Sequence, residues 1–267
     1  TQPKDTVKRL SVSNLTVYNR EGVKVLDDVS FDAYGGEILG IAGISGNGQK
    51  ELLESIAGLQ VTAEGSSIKF YEKGKEDKPL QLIGKTPKKI RDAGVHLAFV
   101  PEDRLGMGLV GSMGMTGNML LKTYGAGRSF LTEMKGPKKM AEKVREELEV
   151  VTPSINTPVS RLSGGNVQKV LVGREIAEEP TVLMTAYAVR GLDINTSYTI
   201  YNLLDEEKRH GVAVVYVGED LDVLIDLCDR ILVLCDGKAN GMVDARTITK
   251  EEVGLLMTNL RKAGAQE

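Results

Sequence analysis

The chain has 267 residues, with 34 Lys and Arg against 37 Asp and Glu, a formal net charge of -3 and 41% hydrophobic residues. This composition is that of a globular protein, and it excludes a general electrostatic attraction to nucleic acid or to an anionic membrane. No apolar run is long enough to cross a bilayer, no signal peptide is recognisable, and the polar ends suggest a segment cut from a longer polypeptide. Cys228 and Cys235 fit a reducing compartment, and with only two histidines in the chain we expect no metal site.

Strands and helices alternate along most of the chain. The first predicted elements are a strand over 7–18, a turn and a further strand within 20–37, a strand over 31–42, a helix over 51–59, an edge hairpin over 66–77 and a strand over 95–100. They are followed by a helical region over about 112–158, a helix over 167–179, a strand over 181–186, a helix over 196–211, a strand over 212–218, a helix over 220–229 and a strand over 230–238. This alternation indicates a parallel sheet covered on both faces. The region 112–158 interrupts it and predicts an inserted helical subdomain.

The stretch 43-GISGNGQK-50 follows a predicted strand and precedes a predicted helix, which is the setting of a phosphate-binding P-loop. Gly43 and Gly48 fit the pattern G-x-x-x-x-G-K-[ST], but Gln49 replaces its lysine and Lys50 replaces its Mg²⁺-binding hydroxyl. The loop amides and the helix dipole can still favour an anion. A glycine-rich turn without a ligand is the alternative, and Lys50 as a monovalent substitute for the metal is a further hypothesis.

The stretch 162-LSGGNVQK-169 resembles the signature motif of ABC transporter ATPases, LSGGQ. Ser163, Gly164 and Gly165 begin a helix whose free amides can bind an anion. A simple N-capped helix is the alternative, but it needs only Ser163 and does not explain two glycines. The resemblance implies an α/β P-loop NTPase fold of ABC type, with a parallel sheet core, an antiparallel β lobe and an inserted helical subdomain, in a single domain over 1–267.

Further stretches resemble the family in the same order. Tyr18 stands where an aromatic ring of the family stacks on adenine. In 99-FVPEDRLGMGLV-110, Glu102 takes the place of the Q-loop glutamine. The stretch 191-GLD-193 resembles the D-loop, in which Asp193 would couple two nucleotide sites, or would simply cap a helix. The nucleotide-binding positions that the resemblance implies are Tyr18, Gly43, Ser45, Gly46, Asn47, Gly48, Gln49, Lys50, Glu51, Glu102, Ser163, Gly164, Gly165 and Asp193.

The catalytic positions of the family are replaced in this chain. Ala186 and Tyr187 stand where a Walker B motif has its Mg²⁺-anchoring Asp and its water-activating Glu. Glu219, in 216-YVGEDLD-222, stands where the family has histidine. With Gln49 also in place of lysine, the site loses most of the electrostatic stabilisation of phosphoryl transfer. We therefore predict that this site binds ATP weakly and is catalytically degenerate.

The combination of GISGNGQ, VPEDR, LSGGNVQK, RGLD and GEDLD resembles the second, C-terminal ATPase half of tandem ATP-binding proteins that drive importers of simple sugars and nucleosides. The resemblance implies that the signature motif serves an active partner half in trans, and that Mg²⁺ is held only at the partner's site. The implied partners are the N-terminal ATPase half, membrane permease subunits contacted near 112–150 and, indirectly, a substrate-binding protein. The implied location is the cytoplasmic face of the plasma membrane.

Two other functions remain open from the sequence. One is an ABC-fold interaction module, nucleotide-regulated or nucleotide-free, that takes no part in transport. The other is a self-sufficient ATPase that acts as a homodimer, and the losses at Ala186 and Tyr187 argue against it.

Overall fold

The computed structural model describes residues 7–92, 97–100, 104–123 and 134–258. The chain divides into two compact units. The first comprises residues 1–99, 181–187 and 204–267, and the second comprises residues 100–180 and 188–203. Within the described residues, no helix combines the length and the apolar character that crossing a membrane requires.

Two sheets organise the strands. Their bounds are β1 (Lys8–Tyr18), β2 (Lys24–Tyr34), β3 (Ile38–Ala42), β4 (Ser67–Phe70), β5 (Leu80–Gln81), β6 (Leu97–Val100), β7 (Val182–Ala186), β8 (Ala213–Val217), β9 (Arg230–Cys235) and β10 (Lys238–Asp244). One sheet has the order β2-β1-β4-β5, and the other has the order β10-β9-β3-β8-β7-β6.

The larger sheet is parallel at its centre. Strand β3 pairs in parallel with β9 and β8, and β8 pairs in parallel with β7. All residues of β3, β7 and β8 are buried, as expected for short apolar runs in a sheet covered on both faces. Strand β10 is antiparallel to β9 and closes one edge. The predicted parallel core is therefore confirmed, whereas β10 was not predicted.

The smaller sheet is antiparallel throughout its described pairs. Strands β1 and β2 are 11 residues long, and their buried positions join those of the larger sheet in one hydrophobic cluster that includes Leu15, Leu26 and Ile41. The hairpin predicted over 66–77 is longer in the structure. Its arms are β4 and β5, and the charged residues between them form the connecting turns.

Helices of the first unit are α1 (Gln49–Ile56), α2 (Pro87–Asp92), α7 (Leu221–Leu227) and α8 (Lys250–Met257). Helix α7 lies so close to β3 that a Cβ on Gly40 would come within 2.8 Å of Cys228 Sγ and 3.0 Å of Leu224 Cδ2. Only glycine allows that approach without a shift of its neighbours. Helix α8 begins with a capping box made by Thr249 and Glu252.

The second unit is helical among its described residues. It contains a π-helical turn at Arg104–Gly108, helices α3 (Met115–Thr123), α4 (Lys135–Glu147) and α5 (Gly164–Ile176), a 3₁₀ turn at Val159–Arg161, and the first ten residues of α6 (Ile194–Arg209). A Cβ on Gly173 of α5 would lie 2.6 Å from Val144 Cγ1 of α4, so this glycine allows the two helices to pack closely. Helices α3 and α4 fall within the predicted helical region 112–158.

Candidate nucleotide-binding site

The loop between β3 and α1 has the backbone of a tight glycine-rich turn. Gly46 and Gly48 have φ of +89° and +96°, in the left-handed region that favours glycine. A Cβ on Gly48 would lie 2.5 Å from Leu26 Cδ2 and 2.6 Å from the Val25 carbonyl oxygen, whereas a Cβ on Gly46 would meet no atom within 4 Å. The amide of Asn47 donates to the carbonyl of Ile44 at 3.1 Å. Residues Gly43–Gly48 therefore form a tight loop that leads into the N-terminus of α1.

Gln49 closes this loop from inside. Its side chain is buried, with 3% of the residue exposed, and Nε2 donates to the carbonyl oxygen of Ile44 at 3.1 Å. The same nitrogen lies 2.6 Å from the place that a Cβ on Gly43 would occupy. The carboxamide therefore supplies a neutral hydrogen bond to the loop where the P-loop pattern has a cation.

Lys50 is directed along its own helix. Its Nζ lies 3.8 Å from Glu54 Oε1, one turn further on, and its side chain is 59% exposed. Glu54 also accepts a hydrogen bond from Gln60 Nε2 at 2.7 Å. Glu51, in the first turn of α1, is half-buried and places a carboxylate near the positive end of the helix dipole. This arrangement gives Lys50 an ion pair with Glu54 in the structure.

The carboxyl ends of three parallel strands bring the other predicted positions to one edge of the larger sheet. Ile41 of β3 and Ala186 of β7 both pair with Val217 of β8. The loop after β3, Tyr187 after β7 and Glu219 after β8 therefore follow strands that end side by side. This edge is where α/β sheets of this kind bind their ligands.

Side chains at that edge differ from those of the P-loop and Walker B motifs. Ala186 is 5% exposed, and Tyr187 packs against the hydrophobic cluster with φ of +51°, while its amide donates to the Val217 carbonyl at 2.8 Å. Glu219 is exposed. The positions that hold Mg²⁺ in the motifs carry the ammonium of Lys50 and the methyl group of Ala186, so these residues do not fit the metal.

Tyr18 ends β1 with 49% of its surface exposed. Lys24 Nζ lies 5.9 Å from the centroid of the Tyr18 ring, at a cation–π distance. Asp27 accepts from Lys24 at 2.9 Å and pairs with Lys238 at 3.1 Å, and the hydrogen bond from Lys24 is the main cause of a lowered pKa of Asp27. The ring is thus accessible for stacking, with a cation beside it.

In the second unit, the predicted signature motif begins a well-capped helix. Ser163 is the N-cap residue of α5, and its Oγ accepts from the Asn166 amide at 3.4 Å and from Asn166 Nδ2 at 2.9 Å. Gly164 and Gly165 are the first two helical residues. A Cβ on Gly165 would lie 3.1 Å from both Oγ1 and Cγ2 of Thr196. A side chain at Gly165 would therefore require Thr196 to shift by a few tenths of an ångström.

Asp193 holds the start of α6. Its Oδ1 accepts from the Thr196 amide at 3.0 Å and its Oδ2 from the Thr196 hydroxyl at 2.7 Å. The backbone hydrogen bond from Thr196 is the main cause of the lowered pKa of Asp193. The Thr196 side chain also lies 3.1 Å from the place of a Cβ on Gly165. This one side chain therefore connects Asp193 with the start of the signature helix.

Arg104 lies beside the signature motif in the second unit, and the sequence interpretation assigned it no role. Its Nη2 donates to the carbonyl oxygen of Arg190 at 2.7 Å, and its Nη1 lies 3.9 Å from the place of a Cβ on Gly164. Its position in VPEDR beside the predicted Q-loop residue was the available signal. Glu102 itself lies outside the described residues.

A sequence model of the family described as ABC transporter matches residues 26–185. The chain belongs to the ABC transporter family.

The ABC-type fold is confirmed by solved cassettes at low identity. A dimeric ATP-binding cassette MJ0796 in a post-hydrolysis state with ADP and Pi has a TM-score of 0.75 at 22% identity, over 90% of this chain and 100% of that chain. A nucleotide-free ATP-binding cassette has a TM-score of 0.72 at 22% identity, over 94% of this chain and 95% of that chain.

Curated relatives are more similar in sequence to this cassette. Guanosine import ATP-binding protein NupO of Bacillus subtilis (strain 168) is 35% identical over 251 residues, which cover 93% of this chain and 47% of that protein. Xylose import ATP-binding protein XylG of Thermoanaerobacter pseudethanolicus (strain ATCC 33223 / 39E) is 37% identical over 251 residues, which cover 91% of this chain and 47% of that protein. The cassette spans about half the length of these curated relatives. Its assignment to the second half of a tandem protein stays a prediction.

Proposed function

We propose that this cassette is the ATP-binding component of an importer of simple sugars or nucleosides, and that it is the catalytically degenerate half of an asymmetric pair. The names of NupO and XylG support the cargo class, since one imports guanosine and the other xylose. The half-length match supports a second cassette in the complete protein, where an N-terminal half would carry the active P-loop.

The contrast between two loops carries this proposal. In the P-loop, the buried Gln49 carboxamide donates to the Ile44 carbonyl and brings no charge. In the signature loop, Ser163 caps α5 and leaves the amides of Gly164 and Gly165 at a helix N-terminus, where an anion is favoured. One loop has lost the charge that phosphoryl transfer needs, and the other keeps its anion-binding form.

The cassette's own site would contribute little to hydrolysis. Phosphoryl transfer depends on a cation and a metal that neutralise the developing charge, and on a group that orients the attacking water. Gln49, Ala186 and Tyr187 supply none of these. Glu219 would place a negative charge near the phosphates where the family has histidine. ATP, if held here by the loop amides and by stacking on Tyr18, would be held weakly and without Mg²⁺.

The signature face would act in trans. ATP held with Mg²⁺ by the P-loop of the other half would meet Ser163, Gly164 and Gly165 of this cassette. Asp193 would couple the two sites, because it holds Thr196 against the start of the signature helix. Permease subunits in the membrane, served by a substrate-binding protein, complete the proposed assembly at the cytoplasmic face of the plasma membrane.

ATP turnover by the complete assembly tests this division of roles. Ser163→Ala should lower turnover at least about tenfold, because it removes the cap that shapes the signature loop. Glu219→Gln should leave turnover unchanged, because the site it faces does not hydrolyse ATP. A fall with Glu219→Gln and none with Ser163→Ala would overturn the proposal. No effect of either substitution would favour an interaction module that takes no part in transport.

A further inference from the structure

Arg104 lies between the segment that leads to Asp193 and the signature motif, Ser163–Gly165. It belongs to the π-helical turn Arg104–Gly108, and it is half-buried. Its Nη2 donates to the carbonyl of Arg190, in the segment that leads to Asp193. Its Nη1 lies 3.9 Å from the place of a Cβ on Gly164, at the first turn of α5. One guanidinium therefore reaches both the D-loop segment and the signature motif.

Within the described residues, the Arg104 guanidinium donates one hydrogen bond to a protein acceptor. An arginine side chain has five N–H donors in a planar fork. The bond to Arg190 uses one of them, and no carboxylate within the described ranges pairs with Arg104. Burial lowers the pKa of Arg104. Arginine remains charged in proteins nonetheless, so a cation that pairs with no carboxylate of the described residues lies beside the signature loop.

The two glycines of the signature motif differ in how much space surrounds the place of a Cβ. At Gly165, a Cβ would lie 3.1 Å from two side-chain atoms of Thr196, so packing in this unit favours glycine there. Among the described residues outside its own helix, Gly164 has only Arg104 Nη1, at 3.9 Å, within 4 Å of the place of its Cβ. The space above Gly164 is therefore open with respect to this part of the chain, and helix-terminal amides and a guanidinium border it.

We propose that Arg104 binds the terminal phosphate of the nucleoside triphosphate that the signature motif completes in trans. The proposal rests on the proposed trans role of the signature face and adds a cationic ligand to it. Guanidinium and helix-terminal amides are complementary to a phosphate, and charge-assisted bonds are about twice as strong as neutral ones. The bond to Arg190 would hold the fork in place, so that little side-chain freedom is lost on binding.

Arg104→Met, Arg104→Lys and Ser163→Ala in the complete assembly test this assignment, with Arg145→Met on the exposed face of α4 as the matched control. Steady-state ATP turnover, inhibition by orthovanadate as a phosphate mimic, and the melting temperature are measured for each. Arg104→Met should lower kcat roughly 10- to 100-fold and weaken orthovanadate inhibition at least about tenfold, with a smaller change in KM. Arg104→Lys should recover part of both, because it keeps the charge. Arg145→Met should match the unmodified protein.

The outcomes separate this inference from the proposed function. If Ser163→Ala lowers turnover but Arg104→Met does not, Arg104 is no phosphate ligand and the trans role stands. If Arg104→Met and Arg104→Lys lower the melting temperature and turnover equally, with orthovanadate inhibition unchanged, Arg104 only braces the loop and the inference fails. If Ser163→Ala has no effect, the trans role itself fails, and the inference fails with it.

Discussion

Gln49 Nε2 donates to the carbonyl oxygen of Ile44 across 3.1 Å, so the first residue of α1 closes the glycine-rich loop that precedes it. In the P-loop pattern, this position presents a cation to phosphate. Here its neutral side chain donates a hydrogen bond to the backbone of the loop. The Gln49 carboxamide and the Ile44 carbonyl are therefore hydrogen-bond partners of each other.

Removing that hydrogen bond should loosen the loop. Gln49→Ala leaves the Ile44 carbonyl without this donor and creates a small cavity at a residue that is 3% exposed. We expect a loss of about 1 kcal/mol in the free energy of unfolding, measured by urea denaturation. Lys139→Ala, at an exposed position of α4, is the comparison. A stability equal to that of the unmodified chain would show that the bond is not formed in solution.

The loop glycines should differ in their tolerance of a methyl group. Gly46→Ala meets no atom within 4 Å and is opposed only by the left-handed φ, which costs about 1 kcal/mol. Gly48→Ala adds contacts of 2.5 Å and 2.6 Å with Leu26 and Val25, and the overpacking adds about 2 kcal/mol or more. Denaturation of the two variants measures the difference. Equal losses would contradict the packing described for Gly48.

Asp193 should contribute to the loss of stability in acid. Hydrogen bonds from Thr196 lower its pKa below the ordinary 3.8, so the folded state favours the carboxylate. Its contribution is present above the unfolded pKa and is lost as the pH falls through the lower folded pKa. Asp193→Asn keeps a capping side chain but cannot titrate. Its melting temperature should therefore fall less steeply than that of the unmodified chain below about pH 4. Parallel curves would show that Asp193 is not hydrogen-bonded as described.

A buried ion pair of the first unit should be sensitive to the loss of one partner. Lys208 Nζ lies 2.8 Å from Asp229 Oδ1, both side chains are 7% exposed, and Asp229 Oδ2 accepts from the Ile38 amide at 2.8 Å. Asp229→Ala leaves the buried Lys208 ammonium and the Ile38 amide without this partner. It should lower the free energy of unfolding by about 3 kcal/mol or more.

An exposed pair serves as the control for that substitution. Glu147→Ala removes the partner of Lys143 at 3.8 Å, where the side chains are 65% and 60% exposed, and should change stability by no more than about 0.5 kcal/mol. Thermal or urea unfolding measures both variants. A similar small effect of both substitutions would mean that Lys208 and Asp229 are hydrated in solution.

Patterns carried by contiguous residues were predictable from the sequence. The apolar runs of β3, β7 and β8 indicated buried parallel strands, and Ser163 before two glycines indicated the N-cap of α5. These predictions succeeded because strand burial and helix capping are decided within a few residues of the chain.

What the sequence could not show depends on contacts between distant residues. Strand β10 is mostly exposed and has little apolar pattern, so its place follows from pairing with β9. The contact between Arg104 and Arg190 joins residues 86 positions apart. Lys50 and Glu54 are four residues apart, a spacing at which side chains of a helix meet. The sequence interpretation considered Lys50 only as a substitute for the metal and did not predict this ion pair.

Calorimetric titration of ATP into the full chain, with and without Mg²⁺, tests the degenerate P-loop most directly. With Gln49, Lys50 and Ala186 at the positions of the charge clamp and the metal anchors, we predict binding that is weak or undetectable and that does not change when Mg²⁺ is added. Tight binding that depends on Mg²⁺ would contradict the account of this site.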